Sequence, residues 1–256
     1  MKRLITALLL APAIVFVVLW GPAWLFYGVV AAVCFLCYRE YAGIADAYGF
    51  GSPGPLGYGA GLLVLFVPGE WWFAAVLAIL LAAVTLAMRR AELRTSLPSA
   101  ALLVCGVLYV FGCFRAALPI RDANPHWLMW GLMLNWIGDT GAYYVGRRWG
   151  RHRMASRVSP KKSWEGAAAS MVVSMAAGAL YAAYLIPRIS WPHAAALAAL
   201  VNAAGQIGDL AESAMKRGAG VKDSGNILPG HGGFLDRVDG SLFALPVLYG
   251  YLRFLG

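Results

Sequence analysis

The sequence predicts an all-α, polytopic integral membrane protein with about nine transmembrane helices and a cytoplasmic amino terminus. Hydrophobic residues make up 61% of the 256 residues and charged residues only 13%, whereas a soluble domain averages about 45–50% and about 25%. Apolar runs of membrane-spanning length recur along the whole chain, and no polar segment is long enough to fold by itself. A single polytopic domain is therefore expected.

The apolar runs define the predicted helices in order. A membrane-spanning helix needs roughly 20 mostly apolar residues. Eight runs approach that length and a shorter, glycine-rich run at 56–67 supplies the ninth candidate, so eight or ten helices are the alternatives. The eight runs are 4–20, 23–38, 71–88, 98–114, 127–145, 167–187, 192–210 and 240–255. The first run continues unbroken to Trp20, which indicates a retained helix rather than a cleaved signal peptide.

The distribution of basic residues fixes the predicted orientation. If nine helices alternate across the bilayer, all but four of the 21 lysines and arginines fall on the side of the amino terminus. The four exceptions are Arg115, Arg121, Arg188 and Arg253. Because cytoplasmic loops carry the excess of basic residues, the amino terminus is predicted to be cytoplasmic. Topology thus explains the net charge of +9, and no nucleic-acid partner is expected.

The two halves of the chain have different predicted roles. Residues 1–125 are expected to form scaffold helices that offer packing surfaces, including one for a homodimer. Their few acids lie near predicted helix ends and suggest no chemistry. Residues 126–256 are predicted to form the catalytic region, with cytoplasmic loops at 146–166 and 213–239.

Three acids of the second half lie in or beside apolar runs. Asp139 is inside one run, and Asp209 and Glu212 are three residues apart on one face at the end of another. Ionisable groups at membrane depth are costly and usually face a cavity or a partner. They are therefore candidate functional residues, with an internal salt bridge to a nearby arginine as the alternative.

The segment 213–239, SAMKRGAGVKDSGNILPGHGGFLDRVD, concentrates groups that bind metal-bound polyphosphate. Carboxylates are the hard oxygen ligands that Mg²⁺ prefers, lysine and arginine match phosphate oxygens, and glycines let backbone N–H groups approach an anion. The carboxylates in and just before the segment are Asp209, Asp223, Asp236 and Asp239, and the cations are Lys216, Arg217, Lys222 and Arg237.

A second basic segment supports a phosphate site. The arginines of 147–157 are explained by topology and by contact with anionic lipid. That explanation leaves out the stretch 159–163, Ser-Pro-Lys-Lys-Ser, which directly precedes a predicted helix. Hydroxyls and paired lysines at a helix start favour phosphate binding.

These segments resemble the phosphatidate cytidylyltransferase (CDP-diacylglycerol synthase) family. The stretches GDLAES, DTGAYYVGRRWG and SPKKSWEG resemble it as well, so the resemblance covers roughly the last half of the chain. The family signature is present throughout, at Ser213, Lys216, Arg217, Lys222, Asp223, Pro229, His231, Gly232, Gly233, Asp236, Arg237 and Asp239.

The resemblance implies transfer of a cytidylyl group from CTP to phosphatidic acid, giving CDP-diacylglycerol and pyrophosphate. This reaction would be the first committed step of phospholipid synthesis from CDP-diacylglycerol. The distribution of basic residues predicts that the active site faces the cytoplasm, and the compact chain favours a bacterial inner membrane.

The resemblance also implies roles for individual residues. Asp209 and Asp236 would hold Mg²⁺, with a monovalent cation such as K⁺ as a further cofactor, and Lys222, Asp223 and Asp239 are further catalytic candidates. His231 would donate to a phosphate oxygen, and the alternative for this residue is a purely structural role in the loop. The predicted substrate-binding residues are Ser159, Lys161, Lys162, Ser163, Ser213, Lys216, Arg217, His231, Gly232, Gly233 and Arg237.

Two other functions compete with this interpretation. A CDP-alcohol phosphotransferase is excluded because no acid follows Asp239, whereas that family's motif continues with further aspartates. A transporter or channel that uses Asp139 and Asp209 as cation sites predicts internal repeats and binding residues at the midplane. The sequence shows charges clustered in predicted loops instead.

Overall fold

The computed structural model describes residues 2–51, 54–186, 189–227 and 232–255. As predicted, the described chain is almost entirely helical. Its α-helices are α1 (Lys2–Leu19), α2 (Ala23–Ala45), α3 (Leu56–Phe66), α4 (Trp72–Ala87), α5 (Ser96–Gly106), α6 (Cys113–Arg115), α7 (Ala117–Ala123), α8 (Pro125–Trp149), α9 (Trp164–Leu185), α10 (Trp191–Gly218) and α11 (Leu235–Phe254). One antiparallel hairpin joins β1 (Arg153–Ala155) to β2 (Ser159–Ser163).

Short turns of other helix types extend several of these helices. π-helical segments at Asp46–Phe50 and Val107–Gly112 continue α2 and α5, and 3₁₀ turns at Gly69–Trp71 and Leu93–Thr95 lead into α4 and α5. Such irregular turns keep the backbone hydrogen-bonded where the regular helix is interrupted.

Five helical segments of the described residues are long and apolar enough to cross a membrane. They are Ala23–Phe50, Gly69–Ala87, Leu93–Ala123, Trp164–Leu185 and Trp191–Gly218. Large apolar side chains such as Trp24, Phe73, Leu81 and Tyr184 are exposed, as expected where lipid rather than water covers the surface. The protein is therefore a multi-pass membrane protein, while the count of nine spans and the orientation stay predictions.

The chain divides into two compact units. The first contains Met1–Thr6, Ala23–Arg115 and Met215–Arg237, and the second contains Ala7–Pro22, Ala116–Ala214 and Val238–Gly256. Both units combine sequence from the two predicted halves, 1–125 and 126–256. The functional division between those halves stays a prediction.

Glycines allow close packing inside the first unit. A Cβ atom at Gly57 would overlap the ring of Tyr38, and one at Gly61 would overlap the ring of Phe111. All four residues are buried. Small residues at such positions let membrane helices approach closely, so this part of the scaffold depends on glycine.

Two of the four arginines outside the predicted cytoplasmic side donate hydrogen bonds to carbonyls at helix ends. Arg115 donates to the carbonyls of Val64 and Leu65 at 2.8 and 3.0 Å, at the end of α3. In the second unit, Arg121 donates to the carbonyls of Val18 and Gly21 at the end of α1. The last carbonyls of a helix have no intrahelical partner, so these two arginines have structural roles.

The helix that precedes the signature segment is longer than its apolar run. It was expected to end near residue 210, but α10 continues to Gly218, so Ser213, Lys216 and Arg217 are helical rather than part of a loop at 213–239. Residues such as Ala211, Met215 and Lys216 have good helix propensity outside a membrane too. The helix ends where Gly220, at a φ of 73°, allows the N–H of Val221 to reach the Lys216 carbonyl.

The predicted loop 146–166 is likewise more ordered than expected. Its first residues complete α8, which ends at Trp149, and its remainder forms the β1–β2 hairpin before α9 begins at Trp164. This small sheet is a departure from an otherwise correct all-α prediction. A proline-containing stretch with paired lysines gave no alternating apolar pattern by which a strand could be recognised.

Candidate functional site

The carboxylate of Asp236 is held by three donors within the first unit. Asp236 lies in the first turn of α11 and accepts from the N–H of Gly233 at 2.8 Å and from the N–H of Ser224 at 3.0 and 3.2 Å. The ammonium group of Lys216 forms an ion pair with the same carboxylate. The side chains of Asp236 and Lys216 are only 6% and 9% exposed. Both carboxylate oxygens therefore have protein partners.

These partners lower the pKa of Asp236. Burial acts to raise the pKa, since it disfavours the charged form. The hydrogen bond from Lys216, the backbone N–H groups of Gly233 and Ser224, and the charge of Lys216 outweigh burial, and the pKa lies below its ordinary value. Asp236 is consequently an anion at neutral pH, fixed in one orientation.

A second buried carboxylate, which the sequence analysis missed, lies in the same unit. Glu40 of α2 accepts from the hydroxyl of Ser224 at 2.8 Å and from the N–H groups of Phe234 and Leu235 at 3.0 and 2.8 Å. The residue is only 5% exposed. The acids of 1–125 suggested no chemistry in the sequence because they lie near predicted helix ends. Because α2 continues to Ala45, Glu40 instead lies inside a membrane-spanning helix, which is the signal that would have identified it.

The carboxylate of Asp209 has different surroundings, in the second unit. It pairs with the ammonium of Lys162 at 2.6 Å and accepts from the hydroxyl of Ser213, one turn along α10, at 3.3 Å. Its side chain is 35% exposed. Asp209 therefore forms an ion pair with a lysine of the hairpin rather than with an arginine, and its functional role stays a prediction.

The two other acids that were predicted to lie at membrane depth differ in exposure. Glu212, three residues after Asp209 on α10, is completely buried. Asp139 is exposed on α8. A functional role for either acid stays a prediction.

The two lysines of the hairpin that were predicted to bind phosphate have different surroundings. Neighbouring residues of a strand point to opposite faces, and Lys161 is exposed while Lys162 reaches Asp209. Ser163 is buried at the start of α9, where its oxygen accepts from the N–H of Gly166 at 3.2 Å. Ser163 therefore caps α9.

The remaining predicted site residues fall into two groups. Lys222, Asp223 and Arg237 are exposed and so are accessible to a ligand. Asp239 is half-buried and accepts from the N–H of Gly240 at 2.7 Å, while Arg217 donates to the carbonyl of Val221 at 3.1 Å. His231 lies outside the described residues.

The two glycines of the signature serve its internal packing. Gly232 has a φ of 80°, and a Cβ atom there would lie 2.7 Å from Oδ2 of Asp236. The N–H of Gly233 donates to Asp236. The anion that these glycines approach in the structure is therefore a carboxylate of the protein.

A divalent metal fits Asp209 better than Asp236. Mg²⁺ is usually held by one or two carboxylates together with substrate phosphates, and Asp209 is partly exposed with side-chain partners that can rotate away. A metal at Asp236 would have to replace the buried ammonium of Lys216. Among the residues that the structure describes, no three His, Cys, Asp or Glu side chains form a group that could hold a metal alone. The metal role of Asp236 stays a prediction.

The Asp236 cluster consists of Asp236 and Lys216, and the Asp209 cluster consists of Asp209, Lys162 and Ser213. With the fold, these two clusters define a multi-pass membrane protein whose charged groups suit the binding of phosphates. A family model described as the Cytidylyltransferase family matches residues 1–255. The chain therefore belongs to the cytidylyltransferase family.

Several bacterial proteins named phosphatidate cytidylyltransferase are similar to the chain. The one from Staphylococcus saprophyticus is 34% identical over 194 residues, which are 73% of this chain and 75% of that protein. The one from Staphylococcus aureus (strain COL) is 33% identical with the same coverage. The one from Bacillus subtilis is 37% identical over 145 residues, 56% of this chain and 54% of that protein, so this match spans about half of the relative.

Proposed function

We propose that the protein transfers a cytidylyl group from CTP to phosphatidic acid, with CDP-diacylglycerol and pyrophosphate as products. The match of the family model along residues 1–255 carries this proposal. The similarity to proteins named phosphatidate cytidylyltransferase is the reason for proposing phosphatidic acid as the acceptor.

The reaction requires neutralisation and alignment rather than a strong base. A phosphate oxygen of the lipid, already ionised near neutral pH, attacks the α-phosphorus of CTP. A new phosphorus–oxygen bond forms there, the bond to the β-phosphate oxygen breaks, and pyrophosphate leaves with the electron pair. Two anions must be brought together for this step, so fixed cations and in-line positioning provide the rate enhancement.

Exposed basic residues are the proposed phosphate ligands. Lys222 and Arg237 in the first unit and Lys161 in the second unit are accessible and cationic, and such groups pair with phosphate oxygens. Lys162 would exchange its pairing with Asp209 for a substrate phosphate. The substrate roles of Ser159, Ser163, Ser213, Lys216, Arg217 and His231 stay predictions.

We assign Mg²⁺ as the cofactor, with Asp209 as its carboxylate ligand. When bound, the ion would neutralise charge on the phosphates of CTP. Before the metal and substrate bind, the carboxylate of Asp209 would hold Lys162 in place through their ion pair. A requirement for K⁺ stays a prediction.

The proposed setting is a bacterial inner membrane with the site on the cytoplasmic side, where CTP is available. The product carries an activated phosphatidyl group, so enzymes that displace CMP with an alcohol hydroxyl would consume it in phospholipid synthesis. The homodimer stays a prediction, which cross-linking of the protein in native membranes would test.

Labelled CTP tests the proposed reaction directly. The purified full chain in detergent micelles receives phosphatidic acid, Mg²⁺ and CTP that is labelled on either the α- or the γ-phosphate. We expect the α-label to enter the lipid phase and the γ-label to remain in water as pyrophosphate. Diacylglycerol, which lacks the nucleophilic phosphate, serves as the matched acceptor control and should give no labelled lipid.

The opposite results would identify other functions. The γ-label in lipid would indicate a kinase. No labelled lipid from a monodisperse protein would contradict the proposal, and measurements of cation transport would then test the transporter alternative.

A further inference from the structure

Glu40 joins α2 to two parts of the signature segment that are close in space but separate in sequence. Its Oε2 accepts from the hydroxyl of Ser224 and from the N–H of Leu235, and its Oε1 accepts from the N–H of Phe234. All of these residues belong to the first compact unit. A buried charge is tolerated only when hydrogen-bonded groups compensate it, and these three donors meet that need.

Asp236 connects the same two parts of the signature segment. It binds the N–H of Ser224 and the N–H of Gly233, while Glu40 binds the hydroxyl of Ser224 and the N–H groups of the two residues after Gly233. The stretches 224–225 and 232–235 are therefore held together by two carboxylates. Only Asp236 belongs to the recognisable signature, because Glu40 is far away in sequence.

Two glycines show that the segment is shaped to fit Glu40. A Cβ atom at Gly225 would lie 2.7 Å from Oε1 of Glu40, and one at Gly233 would overlap both Oε2 of Glu40 and the hydroxyl of Ser224. Real Cβ atoms do not approach an oxygen so closely. The close approach of α2 therefore explains the absence of side chains at these two positions.

We propose that Glu40 is a positioning residue for cytidylyl transfer. It fixes the first turn of α11 and the backbone of Ser224, and through them the carboxylate of Asp236 and the Lys216 ammonium bound to it. This inference rests on the proposed function. Since Glu40 is buried and its partners belong to the protein, it acts on the reaction through these groups and does not bind substrate.

A positioning role has a kinetic signature that a loss of stability does not have. Loosening the segment leaves Lys222 and Arg237, the proposed phosphate ligands beside Ser224 and Asp236, able to bind phosphate but no longer aligned for the transition state. The kcat should therefore fall while the KM for CTP stays unchanged. Partial unfolding would instead lower the amount of active enzyme and leave the kcat of the folded fraction unaltered. Rates are therefore normalised to the monodisperse protein.

The decisive variant is Glu40→Gln, which keeps the size of the side chain. Its amide has one acceptor oxygen and sets an NH₂ group against a backbone N–H donor. We expect kcat to fall by about 10- to 100-fold, because small misplacements of reacting groups have effects of that size. Glu40→Asp retains the charge and both oxygens, and should recover part of the lost rate. Glu70→Gln is the matched control at an exposed glutamate of the same unit and should leave kcat unchanged.

A double-mutant cycle tests whether Glu40 acts through Ser224. Ser224→Ala removes one of the three donors and should lower kcat several-fold, and its effect should be smaller when Glu40→Gln is already present. Ser99→Ala removes a hydroxyl that donates to the Phe50 carbonyl in the same unit. It is the matched control for Ser224→Ala and should leave kcat unchanged.

The outcomes separate this inference from the proposed function. Wild-type protein that produces no labelled lipid contradicts the proposed function itself. Active wild type together with wild-type kcat in monodisperse Glu40→Gln overturns the inference alone. If Glu40→Gln is not monodisperse, Ser224→Ala decides: lowered kcat at unchanged KM supports the positioning role, and unchanged kcat overturns it.

Discussion

Asp236 and Asp209 carry the same side chain, are both paired with a lysine, and still have opposite surroundings. Asp236 is 6% exposed, and two of its partners are backbone N–H groups that cannot turn away. Asp209 is 35% exposed, and its partners Lys162 and Ser213 are flexible side chains. The first carboxylate is thus part of the architecture, whereas the second is accessible to a ligand.

This difference in burial predicts different effects of substitutions on stability and on activity. Removing one partner from a buried ion pair leaves an uncompensated charge in a region of low dielectric constant, which costs far more than loss of an exposed pair. Changes at the Asp236 cluster should therefore appear first in stability, and changes at the Asp209 cluster first in activity.

The largest effect on stability is expected from Lys216→Met, which leaves Asp236 buried without its cationic partner. The free energy of unfolding should fall by about 3–5 kcal/mol, as measured by denaturant unfolding in detergent. Lys222→Met is the matched control, because Lys222 is exposed and surface substitutions usually change stability by less than about 0.5 kcal/mol. Equal effects of the two changes would show that the Lys216–Asp236 pair is not structural.

The lowered pKa of Asp236 predicts a loss of stability in acid. Because the folded-state pKa lies below the ordinary value, the stability from this group is complete above the unfolded pKa and is lost as pH falls through the folded pKa. The gap in unfolding temperature between wild type and Asp236→Asn should therefore stay constant down to about pH 5 and narrow on further acidification to about pH 3 and below. A gap that stays constant would show that Asp236 titrates equally in both states.

The smallest effect on stability is expected at the second cluster. Lys162→Met removes the partner of Asp209, yet the pair is partly exposed, so the free energy of unfolding should change by no more than about 1 kcal/mol. Lys161→Met, at the exposed neighbour on the same strand, gives the baseline for a lost surface charge. A loss as large as that of Lys216→Met would remove the distinction between the clusters.

Composition and the length of the apolar runs were sufficient to predict the helical membrane fold. Exposing polar backbone groups to lipid is costly, so any apolar run that is long enough to span the membrane is expected to be helical. Helix ends were less predictable, because α10 continues beyond its apolar part through residues that favour a helix in water as well. The β1–β2 hairpin depends on local pairing that its polar sequence does not reveal.

Candidate site residues were recognisable only within the segments that resemble the family. The pairing of Asp236 with Lys216 joins two members of one segment, and both were candidates. Glu40 binds that segment from a distant helix, and a single sequence carries no sign of such a partner except the acid itself within an apolar helix. The division between structural and accessible carboxylates depends on burial, which is a property of the folded chain.

One paired experiment tests this division most directly: transfer rate and unfolding temperature, measured side by side for wild type, Asp209→Asn and Asp236→Asn. We predict that Asp209→Asn keeps the wild-type unfolding temperature and loses about 100-fold or more in rate. Asp236→Asn should instead lower the unfolding temperature, because it leaves the Lys216 ammonium buried and uncompensated. An Asp209→Asn protein with wild-type rate, or an Asp236→Asn protein with wild-type unfolding temperature, would contradict the account.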